Sequence, residues 1–142
     1  MRTRTTGFAL AAALGLLGGC ASIEYAATGQ QVRLWGSSEV PPVSTQAYGT
    51  GVVNIDAERA VSVTVSVIDM VPTAAHIHEG AAGANGPVIV PLQRISENAF
   101  VAPDGAKLTE AQYTAYKAGN LYVNVHSAKF PNGEVRAQLA GR

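Results

Sequence analysis

The sequence predicts an all-β fold, an antiparallel Greek-key β-sandwich or barrel of seven to eight strands with one short helix near residues 109–118. Three observations predict it. Short apolar–polar alternations recur along the chain, the period-two pattern of strands with one face on a core. Turn residues punctuate them at intervals of about ten residues, as in antiparallel all-β domains. Only one segment breaks the series with helix formers set between a start and a stop signal.

The elements follow in order. Residues 31–35, Gln-Val-Arg-Leu-Trp, alternate. Glu39-Val-Pro-Pro-Val43 cannot be a central strand, because paired prolines donate nothing to a ladder; it is a rigid corner or, with Glu39, part of a site's rim. Residues 48–55 read as a strand with glycine kinks. In residues 60–68, Val61, Val63, Val65 and Val67 face a core and Ser62, Thr64 and Ser66 face solvent. Asp56-Ala-Glu-Arg59 turns one of these runs into the other as a hairpin. Residues 73–79 and 88–92 are two further strands, joined by Gly80-Ala-Ala-Gly-Ala-Asn-Gly-Pro87. That loop lacks the Lys and Ser/Thr of a phosphate-binding loop, so its glycines and Asn85 are read as turn formers. Thr109 can cap the helix and Gly119 end it. Residues 121–126 and 134–139 close the chain as a hairpin across Pro131-Asn132-Gly133. Ile77, Val123, Val125, Val135 and Leu139 join the four valines in the expected core.

Arg2 and Arg4 precede an apolar stretch, residues 8–17, too short to span a bilayer, the form of a secretory signal. It ends in Leu17-Gly18-Gly19-Cys20, which resembles the lipobox of bacterial lipoproteins, and Cys20 is the chain's single cysteine. The resemblance implies a signal peptide over 1–19, a lipidated Cys20 and flexible tether over 20–29, and one folded domain over 30–142. It also implies a membrane anchor through Cys20 in a bacterial cell envelope. Ala21 stands where an aspartate would resemble the inner-membrane retention signal, which points to the outer membrane, facing periplasm or exterior. Without Arg2 and Arg4, eight basic residues face ten acidic ones and no basic run exists, so nucleic acid is excluded as a partner.

The chemistry is concentrated in the three histidines, His76, His78 and His126, all in strand segments. Side chains two apart on a strand share a face roughly 7 Å apart, so His76 and His78 can reach one ion and His126 complete the set. An all-imidazole set without thiolate suits copper, favoured by the affinity series, and then zinc. If Ala75, Ile77, Val123 and Val125 point inward, the histidines and Asn124 lie on the sheet's outer surface, flat and solvated. The plain alternative is two exposed histidines and one paired with a carboxylate such as Glu79. Glu134 and Arg136 also face outward if Val135, Ala137 and Leu139 are core. Glu134 then orients an imidazole through its free N–H and Arg136 offers charge to an anionic ligand, or the two make plain salt bridges, Arg136 with Glu39 for instance. No Ser-His-Asp arrangement has a workable spacing, so hydrolase chemistry has little support.

Glu39-Val-Pro-Pro-Val43, Ala75-His-Ile-His-Glu-Gly-Ala-Ala-Gly-Ala-Asn-Gly-Pro87, Tyr122-Val-Asn-Val-His126 and Gly133-Glu-Val-Arg136 fall in an order that resembles the CHRD domain, over about residues 32–139. Members of that family occur in extracellular growth-factor antagonists of animals and in secreted bacterial proteins, and the animal role does not transfer on fold alone. His76-Ile-His78 with a late-strand His126 also resembles the copper ligands of Cu/Zn superoxide dismutase, but no histidine remains to bridge to zinc and no zinc-ligand cluster exists. The expected function is a lipid-anchored envelope protein that binds a transition metal through the three histidines. A metal-free protein- or glycan-binding module is the first alternative, favoured if Trp35 or Tyr122 faces outward. A copper-dependent redox enzyme of dismutase type is the second, weakened by a flat site with no buried general base.

Overall fold

Residues 61–68 show how the pattern becomes structure. Val61, Val63, Val65 and Val67 are buried while Ser62 and Thr64 are exposed, so the register expected from the alternation holds. The computed structural model describes residues 29–142; the expected signal segment, Cys20 and the expected tether before Gly29 lie outside the described residues. The strands are β1 (Gln30–Trp35), β2 (Tyr48–Ile55), β3 (Val61–Ile68), β4 (Pro72–Glu79), β5 (Val88–Pro91), β6 (Gln93–Arg94), β7 (Ala99–Val101), β8 (Leu121–Ser127) and β9 (Val135–Gln138), with α1 (Glu110–Lys117) between β7 and β8.

These nine strands form one antiparallel sheet in the order β5-β4-β8-β9-β1-β2-β3-β7-β6. β1, β2 and β3 lie side by side, and β9 returns from the end of the chain to pair with β1, a connection of Greek-key type. The two edge strands, β5 and β6, are consecutive in the chain with only Leu92 between them. The Leu92 N–H donates to the Ala75 carbonyl at 2.9 Å, and the Arg94 guanidinium donates to the Pro72 carbonyl. Backbone continuity therefore nearly closes the sheet into a barrel and leaves only two short edge strands, which limits the open edge that invites aggregation.

All nine expected core residues are buried, together with Leu34, Phe100, Leu108, Tyr116 and Leu121. Thr109 caps α1 in a reciprocal pair with Gln112, and Gly119 follows the last turn at φ 76°. The strand count exceeds the expected seven to eight by the short β6 and β7. Two and three residues are too few to display a period, and of the five only Phe100 is buried. Among the described residues no helix is long and apolar enough to cross a membrane.

Candidate metal centre

The pairing of β4 with β8 places His76 opposite Asn124, His78 opposite Tyr122 and Ala74 opposite His126. With Ala75, Ile77, Val123 and Val125 buried in the barrel, these six side chains form a patch on the sheet's other face. β9 extends the patch, pairing Arg136 with Asn124 and Gln138 with Tyr122. One donor atom from each of His76, His78 and His126 lies within 4.8 Å of the other two. That triangle is only modestly wider than the roughly 3.3 Å edge between tetrahedral ligands bound at ~2.0–2.1 Å. The cluster is capable of coordinating a metal ion.

Backbone carbonyls set the imidazole tautomers. His78 Nδ1 lies 2.9 Å from the Gly86 carbonyl and His126 Nδ1 2.9 Å from that of Pro131. A carbonyl only accepts, so both protons sit on Nδ1 and both Nε2 atoms present lone pairs, the arrangement that metal-bound histidines use. His76 Nδ1 approaches His126 Nε2 at 3.0 Å and donates to it. Among the described residues His78 Nε2 is buried without a hydrogen-bond partner. Burial, with the neighbouring His126 and His78, lowers the His76 pKa to about 4, and burial lowers that of His78 against the opposing bond to Gly86. Both rings are thus neutral ligands at neutral pH.

The face is not the flat, solvated surface expected from alternation. Residues 80–87 fold over it, held by Arg136, which is 1% exposed. The guanidinium donates to the Ala81 and Ala84 carbonyls at 3.2 and 3.0 Å, to Asn85 Oδ1 at 3.3 Å and to Gln138 Oε1 at 2.9 Å. It also lies 3.4 Å over the Tyr122 ring, which in turn stacks on His78 at 4.7 Å. Arg136 is therefore a clamp for the covering loop, not a free charge for an anion. Glu134 accepts from the Thr45 hydroxyl at 2.7 Å and orients no imidazole. Strand alternation puts Glu79 with Ile77, on the opposite face from His76 and His78, and among the described residues no histidine hydrogen bond goes to a carboxylate.

Glu39 is a buried carboxylate where none was expected. It sits 4% exposed at the end of the turn Gly36–Ser38 and accepts from Asn124 Nδ2 at 3.4 Å. Desolvation raises its pKa, against the Asn124 bond and the charge of Arg136. Residues 39–43 are thus both the corner and the rim, tied to the covering loop where Asn85 Nδ2 donates to the Val40 carbonyl at 2.7 Å. The sequence offers Asn85 and Gly86 only as turn formers, Tyr122 only as an outward aromatic, and Gln138 not at all. Tyr122 was findable, since it lies four residues before His126 on the same strand face; the loop contacts carry no sequence signal.

A family model of the CHRD domain matches residues 30–139. The chain belongs to the CHRD-domain family. The match spans every strand of the barrel, so the three histidines and both covering segments, 39–43 and 80–87, fall inside the CHRD domain. No curated protein and no solved structure matches this CHRD chain.

Proposed function

We propose that this CHRD-domain protein is a lipid-anchored envelope protein that binds a transition metal ion through His76, His78 and His126, and holds or carries the ion rather than turning over a substrate. The observation that carries the reading is His78 Nε2, a buried lone pair with no partner among the described residues. Leaving a buried polar atom unsatisfied costs about 1–3 kcal/mol, and an ion shared with His76 and His126 supplies the missing partner. The donor set supports copper first and zinc next, because divalent affinities peak at copper and imidazole suits both. The anchor rests on Leu17-Gly18-Gly19-Cys20 alone.

Elemental analysis of the full chain, purified without a histidine tag, should find copper or zinc near one ion per chain. The variant with all three histidines changed to alanine should hold none, and equal metal content in both would end the proposal. Cys20→Ser should move the protein from the membrane fraction to the soluble fraction, because an acylated cysteine supplies about 0.8 kcal/mol per buried CH₂. A serine variant that still sediments with membranes would end the anchoring proposal.

One observation favours a second reading. Trp35 is 45% exposed and stacks on Tyr48 with ring centroids 5.6 Å apart, an aromatic platform on the barrel's outside that suits a glycan or protein partner and needs no metal. Tyr122, the other aromatic that would favour it, is covered at 2% exposure.

A further inference from the structure

We infer that Asn124 supplies the fourth protein donor of the metal centre through Oδ1, so that the ion is closed in by three nitrogens and one oxygen. This rests on the metal-binding reading and goes further, because a closed site stores or carries an ion whereas a catalytic one keeps a position open.

The position comes from the sheet. Asn124 lies directly across from His76 and two residues before His126 on the same face, so its amide sits among the ligating rings. Its Oδ1 is 3.0 Å from His126 Nε2, the same separation as between His76 Nδ1 and His126 Nε2. Both values fall slightly inside the roughly 3.3 Å edge of a tetrahedral site with bonds of ~2.0–2.1 Å, the spacing of ligands that share one ion once it has displaced the proton that His76 Nδ1 donates to His126 in the metal-free protein.

The orientation comes from Glu39. Asn124 Nδ2 donates to Glu39 Oε1, which turns the amide oxygen toward His126. The proton of His126 is held on Nδ1 by the Pro131 carbonyl, so Nε2 also presents a lone pair. Two acceptors 3.0 Å apart repel one another, and a cation between them reverses the sign of that interaction. Gly133 leaves room for the arrangement: at φ 127°, any Cβ there would strike Glu39 Oε1 and come within 2.7 Å of Asn124 Nδ2. The turn glycine read from Asn132-Gly133 thus serves the site as well as the hairpin. An oxygen donor beside three imidazoles suits Cu²⁺ and Zn²⁺ better than Cu⁺, which prefers softer ligands.

The test titrates Zn²⁺ and Co²⁺ into the full chain, Asn124→Leu and Asn124→Asp, with the triple histidine variant as the blank. Asn124→Leu removes the donor at nearly constant volume; it should weaken Zn²⁺ binding at least about tenfold. It should also change the visible d–d bands of bound Co²⁺ as water replaces the amide oxygen. Asn124→Asp should restore or tighten binding, since carboxylate oxygen is a zinc ligand. A leucine variant with the parent's affinity and the parent's cobalt spectrum overturns the inference, as it would if the amide were reversed and bonded only to its neighbours. Weaker binding with an unchanged cobalt spectrum also overturns it, making Asn124 a positioning residue. If the leucine variant fails to fold, the aspartate variant decides: parent-like or tighter binding with shifted bands supports the fourth donor, and weaker binding or unshifted bands overturns it. Absence of stoichiometric metal from the parent is a different result, which removes the metal-binding reading itself.

Discussion

Replacing Arg136 with alanine should lower the unfolding free energy by about 3–5 kcal/mol, the cost of breaking a buried charged network by removing one partner. The guanidinium is the common partner of the Ala81, Ala84, Asn85 and Gln138 oxygens, and it covers one face of the Tyr122 ring. Its removal leaves those acceptors without their shared donor, at about 1–3 kcal/mol for each that stays buried. Burying the cation is itself unfavourable, which lowers the Arg136 pKa and keeps the net figure well under the sum of its contacts. Urea unfolding should show a lower midpoint with an unchanged slope. Arg136→Lys should recover little, since one ammonium cannot reproduce the planar fork. Loosening residues 80–87 also frees the Gly86 carbonyl that holds the His78 tautomer, so metal affinity should fall about 10–100-fold, although Arg136 touches none of the three imidazoles. A variant with the parent's midpoint and affinity would mean that the loop is held by something other than this clamp.

What was legible in the sequence follows from the range of the interactions involved. Strand periodicity is local, so the Val61–Val67 run, the β2–β3 hairpin and the α1 caps were readable residue by residue. The juxtaposition of His76 and His78 with His126 was readable for the same reason: alternation fixes the face, and two adjacent strands suffice. Depth was not legible. Alternation says that Asn124 and Arg136 point away from the apolar core, but not that residues 39–43 and 80–87 return to cover that side. Their contacts join positions tens of residues apart through backbone carbonyls, which have no sequence identity. Glu134 and Glu39 show it: Glu134 bonds Thr45 and orients no imidazole, and Glu39, on the expected rim, holds Asn124. β6 and β7 were missed because their pairing reflects barrel closure and not their own pattern.

Adding Zn²⁺ or Cu²⁺ at 100 times its Kd should raise the unfolding free energy by about 2.7 kcal/mol at neutral pH, because the ion binds the folded cluster and not the separated histidines. The triple histidine variant should show no such gain. The pH dependence follows from the directions of the shifts. His76 is lowered to about 4 in the fold, whereas an unfolded histidine titrates near about 6.5. Between those values the unfolded chain takes a proton that the folded chain refuses, so the metal-free protein loses stability as pH falls from about 6.5 toward 4. The loss from His76 is roughly 1–2 kcal/mol after allowance for its partial solvent contact, and His78, lowered by burial, acts in the same direction. Glu39 opposes them: its raised pKa means that the fold gains stability as pH drops through that value toward 4.5. Burial that resists protonation also protects His76 and His78, so the metal should outlast the expectation from free imidazole, with release near its pKa of about 6.5. Urea midpoints measured with and without Zn²⁺ from about pH 7.5 down to about pH 4 should keep the metal-dependent increment at about pH 6 and lose it by about pH 4. An increment already gone at pH 6, or one retained by the triple variant, would show that the ion is not held by this buried cluster.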